Sequence, residues 1–139
     1  MTTSKYVSEK LFAKPSVCAN ELINRLTLSS KYHMERLTDF FEKIVKVVIL
    51  EMTDEQRIRF IYFCTGYNYL PHHHEIRNAP FNIKIEFSSP FEMTSESLPI
   101  AYTKDCLLKL PWNMYDCNKE MFKLKLFQSM NFVDDFSIK

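Results

Sequence analysis

The chain has 139 residues, of which 46% are hydrophobic and 25% are charged. These fractions are ordinary for a soluble globular protein and exclude a disordered chain, and the length suits one domain with its own core. The formal net charge is only +1, from 18 basic and 17 acidic residues. Composition therefore gives no electrostatic reason to expect nucleic acid or an anionic membrane as a partner.

Hydropathy gives expectations about membrane insertion and secretion. No apolar run approaches the roughly 18 residues of a membrane-spanning helix, and the opening residues MTTSKYVSEK lack the apolar region of a signal peptide. We therefore expect an intracellular protein, cytoplasmic or nuclear. The cysteines lie far apart with no paired spacing, at Cys18, Cys64, Cys106 and Cys117. This pattern predicts reduced, mostly buried thiols rather than a disulfide framework or a zinc site, and no cofactor is expected.

Apolar residues at helical spacing predict two helices near the start of the chain. After Pro15, Ser16 can cap a helix that begins near Val17. From His33 to Ile49, apolar residues recur every three or four positions, which indicates a second helix of more than four turns.

A third helix has an explicit start and stop. Thr53 and Gln56 have the spacing of a capping box, in which each side chain accepts a hydrogen bond from the other residue's backbone N–H. Gly66 then stands where a left-handed residue commonly ends a helix. Because Gly66 is the single glycine, other turns that need positive φ are expected to use Asn, Asp or His.

Three consecutive histidines, His72 to His74, follow this helix. Imidazole is a common zinc ligand, so a metal site is one interpretation. Consecutive residues cannot easily present three nitrogens to one ion, which favours the other interpretation, a solvated loop.

The second half of the chain contains the predicted strands. Between Phe81 and Phe87, apolar residues alternate with polar ones, which is typical of a strand with one buried face. Two short strands are predicted at Ile100–Thr103 and Leu107–Leu110, and a last helix from Lys119 to Asn131. The fold class predicted is α+β, a small mixed β-sheet with surrounding helices.

Two Leu-Pro pairs flank the segment LPIAYTKDCLLKLP, residues 98–111. Proline fixes its own φ near about −65° and disfavours the helical conformation for the residue before it, so Leu98 and Leu110 should be extended. The loop between them carries Lys104 and Cys106. A reactive side chain on a loop held between strands is a common functional arrangement.

This segment resembles the catalytic segment of HECT-type ubiquitin ligases, in the C-terminal lobe of their HECT domain. Seven residues are in register with the family's L-P-x-A-x-T motif and the L-P that follows it: Leu98, Pro99, Ala101, Thr103, Leu108, Leu110 and Pro111. In that family the residue after the threonine is the cysteine that carries ubiquitin as a thioester. Here Lys104 occupies that position, and the nearest thiol is that of Cys106, two residues later.

Two other stretches are similar to the same lobe, so the resemblance covers Val17 to Lys139. IRFIYFCTGYNYLP resembles the family's F-x-x-F-x-T-G pattern, and KEMFKLKLFQSM resembles its closing helix. Family chains end with an aromatic residue, fourth from the end, that assists ubiquitin transfer; here this residue is Phe136. The alternative is an ordinary core or surface aromatic, since the chain has twelve phenylalanines.

The resemblance also implies a domain boundary and partners. A hinge between two lobes would fall near Pro15, so residues 1–15 would be the remnant of a preceding lobe and residues 16–139 the C-lobe-like domain. Ubiquitin is the implied partner, together with a ubiquitin-conjugating enzyme recruited through a larger N-terminal lobe outside this chain. The protein substrate is not implied.

The candidate site residues are Thr103, Lys104, Cys106 and Phe136, and three interpretations of them stay open. In the first, Cys106 carries ubiquitin in an impaired thioester relay, its pKa lowered by Lys104. In the second, the lobe is catalytically inactive and binds ubiquitin or a conjugating enzyme as a regulator; in the third, no activity is retained. A lysine, with a pKa of about 10.4, is mostly protonated at neutral pH and is then a poor nucleophile. If Lys104 did react, it would form an amide and hold ubiquitin permanently, so in either case the relay stops at this residue.

Overall fold

The computed structural model describes residues 17–29, 35–70 and 81–138. Predictions about residues 1–16, the domain boundary included, and about His72 to His74 lie outside these ranges. In the part of the chain that is described, no helix has the length and apolar character needed to cross a membrane.

Five helices and four strands make up the described fold. In chain order they are α1 (Ala19–Asn24), β1 (Leu26–Leu28), α2 (Glu35–Phe40), α3 (Lys46–Glu51), α4 (Asp54–Thr65), β2 (Ile83–Phe87), β3 (Ile100–Tyr102), β4 (Leu107–Leu110) and α5 (Lys119–Ile138). A π-helical segment, Phe41–Val45, joins α2 to α3, so the long second helix predicted from the periodicity is present.

The first predicted helix is shorter than expected. Helix α1 begins at Ala19 and not near Val17, and Cys18 occupies its N-cap position without a side-chain hydrogen bond. The helix ends at Asn24, and Leu26 belongs to β1, where it pairs with Ile83. A strand of three residues is too short to show alternation, and its parallel partner lies far along the chain.

The four strands form one mixed sheet in the order β1-β2-β4-β3, which confirms the predicted fold class. The pairs β1/β2 and β2/β4 are parallel, and β3/β4 is antiparallel. Lys84 pairs with Leu107 and Phe87 pairs with Leu110, so β2 and β4 begin at the same end of the sheet. The turn between β3 and β4 therefore lies at that end, and the loop after β2 lies at the opposite end.

One face of the sheet packs against the helices. The largest fully buried side chains are Ile83 and Ile85 of β2, Leu108 and Leu110 of β4, and the helical residues Leu22, Phe40, Val45, Ile49, Phe60, Ile61, Phe122 and Leu126. Lys84, Glu86 and Lys109 alternate with these strand residues and lie on the other face. The core therefore fixes the positions of β2 and β4, which support the turn.

Both ends of α4 are as predicted. The backbone N–H of Gln56 donates to Thr53 Oγ1 at 3.2 Å, and the backbone N–H of Thr53 donates to Gln56 Oε1 at 2.9 Å, which completes the capping box. Gly66 ends the helix in the left-handed conformation, with φ 83°, and its N–H donates to the carbonyl of Tyr62 at 2.8 Å.

A Gly66→Ala substitution is expected to lower the free energy of unfolding by about 1 kcal/mol. An added Cβ would meet no atom within 4 Å, so the loss comes from the left-handed backbone and not from a clash. Urea denaturation measures it, with Gly66→Asn as the matched variant, because asparagine tolerates this conformation better than alanine. Equal losses for Ala and Asn would contradict this explanation.

Candidate functional site

The segment with the candidate residues is an exposed turn between two antiparallel strands. Thr103, Lys104 and Asp105 form a single 3₁₀ turn and are exposed. Cys106 follows in the left-handed conformation, with φ 50° and ψ 50°, and its N–H donates to the Thr103 carbonyl at 3.2 Å. The two predicted strands are thus confirmed, except that Thr103 belongs to the connection and not to β3; Cys106 lies in the connection, as predicted.

The sheet and helix α4 hold this turn in place. The backbone N–H of Lys84 donates to the carbonyl of Cys106 at 2.9 Å, and Tyr102 pairs with Leu107 across the turn. Helix α4 packs against both the turn and β3. Because its two ends and one side are supported by regular elements, the turn presents Lys104 at a defined place on the surface.

The Cys106 thiol is half-buried and packs against the core. Its Sγ lies 3.8 Å from the Thr103 carbonyl oxygen, to which the S–H can donate. Partial burial raises the pKa of this thiol, the Asp105 carboxylate raises it further, and only Lys84 acts in the opposite direction. The predicted lowering by Lys104 is therefore wrong, because the nearby cation that acts on the thiol is Lys84 from β2.

A second thiol lies behind the turn. Cys64 of α4 is fully buried, and burial raises its pKa strongly, with a smaller contribution from the neighbouring Cys106. A buried thiol of this kind is inert because its thiolate is disfavoured. Neither of these two thiols is therefore favoured as a thiolate near neutral pH.

A charged cluster on the outer face of the sheet was not predicted from the sequence. Lys109 Nζ lies 2.6 Å from Glu92 Oε2 and 3.5 Å from Glu86 Oε2, and 5.7 Å from the ring centroid of Tyr102. The hydrogen bond from Lys109 lowers the pKa of Glu92, and the same bond raises the pKa of Lys109. The alternation of Glu86 and Lys109 with buried residues was the available signal, but only the strand register brings them together.

Strand β3 lies at the edge of the sheet and carries exposed apolar side chains. Leu98, Ile100 and Tyr102 are each about two-fifths exposed, at 39%, 41% and 43%. Within the described ranges, no strand pairs with the outer edge of β3. An extended segment of another chain could therefore add to this edge directly beside the turn.

The structure does not test the predicted role of Phe136 or the metal interpretation of His72 to His74. The backbone of Phe136 lies in α5, which continues past the predicted end at Asn131 to Ile138, but its side chain is not among those described. Its role in transfer stays a prediction. Among the described residues, no group of three or more His, Cys, Asp or Glu side chains could hold a metal ion.

The fold and the site define a small α+β lobe with an exposed turn between two strands of its mixed sheet. A family model described as HECT-domain (ubiquitin-transferase) matches residues 9–139, nearly the whole chain. The chain therefore belongs to the HECT-domain family. Membership supports a ubiquitin-ligase type of function in general, and HECT domains interact with ubiquitin and with ubiquitin-conjugating enzymes. No curated protein matches the chain.

Proposed function

We propose that this chain acts as the C-terminal lobe of a HECT-type ubiquitin-protein ligase, and that it binds ubiquitin at the turn between β3 and β4 without efficient thioester relay. One observation carries the proposal. The turn is exposed and supported by the sheet, but its tip carries the amine of Lys104, while the nearest thiol, that of Cys106, is half-buried with a raised pKa.

The chemistry of a relay explains why this arrangement impairs it. A thiolate attacks the thioester carbonyl carbon of charged ubiquitin, a new C–S bond forms, and the bond to the departing thiolate breaks. The rate depends on the fraction of attacking thiolate, which a raised pKa reduces at neutral pH. If the Lys104 amine attacked instead, the product would be an amide, which cannot pass ubiquitin onward.

Non-covalent binding is supported by the surface that leads into the turn. The free edge of β3 offers backbone N–H and C=O groups to an extended tail, and the exposed Ile100 and Tyr102 offer apolar contacts beside it. None of these features requires a thiol at position 104. Binding can therefore persist where relay is impaired.

Relay through Cys106 is the second candidate, and one feature favours it. The Cys106 side chain is partly exposed within the turn, and the charge of Lys84 stabilises its thiolate.

The test combines the full chain with ubiquitin and a charged conjugating enzyme, analysed on gels with and without reductant, and with labelled ubiquitin in NMR titrations. We expect ubiquitin resonances to shift when the wild-type chain binds, and to shift less with Tyr102→Ala. We also expect wild type to form no more reductant-sensitive adduct than Cys106→Ala forms. A reductant-sensitive adduct that Cys106→Ala abolishes would establish the second candidate instead. Absence of both binding and adduct would overturn the proposal.

A further inference from the structure

Phe91 is the most exposed large apolar side chain in the described part of the protein. It lies in the loop between β2 and β3 and is 99% exposed, whereas the next values, for Leu50 and Leu124, are 52%. A single exposed apolar residue is ordinary, but a phenylalanine with almost no contact to its own chain is not. Aromatic residues of this kind are typical anchors of protein–protein interfaces.

The loop holds Phe91 in a defined position. The backbone N–H of Glu92 donates to the Ser89 carbonyl at 3.1 Å, and the Glu92 carboxylate is bound to Lys109 of β4 at 2.6 Å. Met93, the next residue, is buried. Because the two residues that follow Phe91, Glu92 and Met93, are fixed to the body of the protein, a partner would order little of this loop on binding.

The loop is continuous with the surface that leads to the turn. Lys109, which holds Glu92, pairs with Ile100 across the sheet and lies over the Tyr102 ring. An exposed surface thus runs from Phe91 over Ile100 and Tyr102 to the turn at the other end of the sheet. The loop's only charged residues, Glu92 and Glu96, are acidic.

We propose that Phe91 is a second anchor for ubiquitin, which inserts into an apolar pocket of ubiquitin's globular body while the ubiquitin tail lies at the turn. This inference rests on the proposed function. Strand β3 spans about 10 Å, and a protein of ubiquitin's size, roughly 75 residues, is about 30 Å across, so one molecule reaches both places. Glu92 is already paired with Lys109, so it is the exposed carboxylate of Glu96 that implies a Lys or Arg side chain at the border of the pocket.

The test is an NMR titration of labelled ubiquitin with the full chain and three variants. Phe91→Ala should raise the dissociation constant about tenfold, and Phe91→Leu should raise it less, because leucine keeps most of the apolar contact. Leu50→Ala, a truncation at an exposed residue of helix α3, should leave it unchanged. Thermal unfolding should be the same for wild type and Phe91→Ala, since the side chain packs against nothing in its own chain.

The outcomes separate the two proposals. If wild type binds ubiquitin and Phe91→Ala binds equally well, the second anchor is refuted and the proposed function stands. If wild type does not bind ubiquitin, the proposed function fails and the anchor fails with it. If Leu50→Ala weakens binding as much as Phe91→Ala, the effect is not specific to the anchor, which also refutes it.

Discussion

Lys104→Cys is expected to react with ubiquitin that carries a thiol-reactive vinyl sulfone at its C-terminus at least about tenfold faster than wild type. Position 104 is exposed at the tip of the turn, so a thiol there has an ordinary environment, unlike the half-buried Cys106. The probe forms a stable thioether, which gels and mass spectrometry quantify without a conjugating enzyme. Because Cys18 and Cys117 are also exposed, peptide mass spectrometry must assign the adduct to the turn.

The pH dependence of labelling provides a second measurement for the same variant. Burial and Asp105 raise the pKa of Cys106, so labelling of wild type at this residue should increase only at alkaline pH, above the ordinary thiol value of about 8.5. Labelling of Lys104→Cys should increase at lower pH than that. Labelling of Cys106 requires higher pH because only the thiolate reacts, and a thiol with a raised pKa forms its thiolate at higher pH.

Two matched variants control this prediction. Adding Cys106→Ala to Lys104→Cys should leave the fast adduct unchanged, whereas Lys104→Ser should react no faster than wild type. If wild type reacts as fast as Lys104→Cys, and Cys106→Ala abolishes that reaction, the thiol at position 106 is a competent nucleophile. The interpretation of Lys104 as a block to relay would then be wrong.

Local signals in the sequence were sufficient for the parts of the fold that depend on neighbouring residues. The capping box at Thr53 and the stop at Gly66 are set within a few residues, and the alternation in β2 reports its buried face directly. Strand β1 was missed because Leu26–Leu28 is defined by its pairing with β2, which is a contact distant in sequence.

Left-handed turns were predicted less well. The expectation was that Asn, Asp or His would take positive φ, yet among the described residues those that do so, besides Gly66, are Cys106, Met114, Tyr115, Asp116 and Cys117. Only Asp116 is of an expected type. Residues that are costly in this conformation persist where the surrounding structure imposes it, and Met114 and Tyr115 are both buried in the core.

The candidate site also combines features that neighbouring residues determine with features that depend on contacts distant in sequence. The sequence located the turn because prolines and strand patterns are local, while the assignment of position 104 to the family's cysteine stays a prediction. The sign of the Cys106 pKa shift required the fold, since Lys84 reaches the turn from β2 and burial comes from packing. The anchoring of Glu92 by Lys109 likewise joins residues 17 positions apart.

Phe40→Ala is expected to lower the free energy of unfolding by about 4 kcal/mol, a large part of the roughly 5–15 kcal/mol of a typical domain. Phe40 is 1% exposed, and its ring meets Phe87 of β2 at 5.8 Å and Phe122 of α5 at 5.4 Å between centroids, both edge to face. The truncation removes buried apolar area, leaves a cavity and breaks both ring pairs. Urea denaturation monitored by circular dichroism measures the loss.

Phe91→Ala is the matched control, because it removes the same atoms from a residue that is 99% exposed and should leave stability nearly unchanged. A double-mutant cycle with Phe122→Ala should give a coupling of about 0.5–1.5 kcal/mol with Phe40→Ala, as expected for rings in contact. A loss below about 1.5 kcal/mol for Phe40→Ala would contradict this account of the core, given the range for buried phenylalanines. The core matters for the site because Phe40 packs against β2, the strand whose Lys84 holds the carbonyl of Cys106.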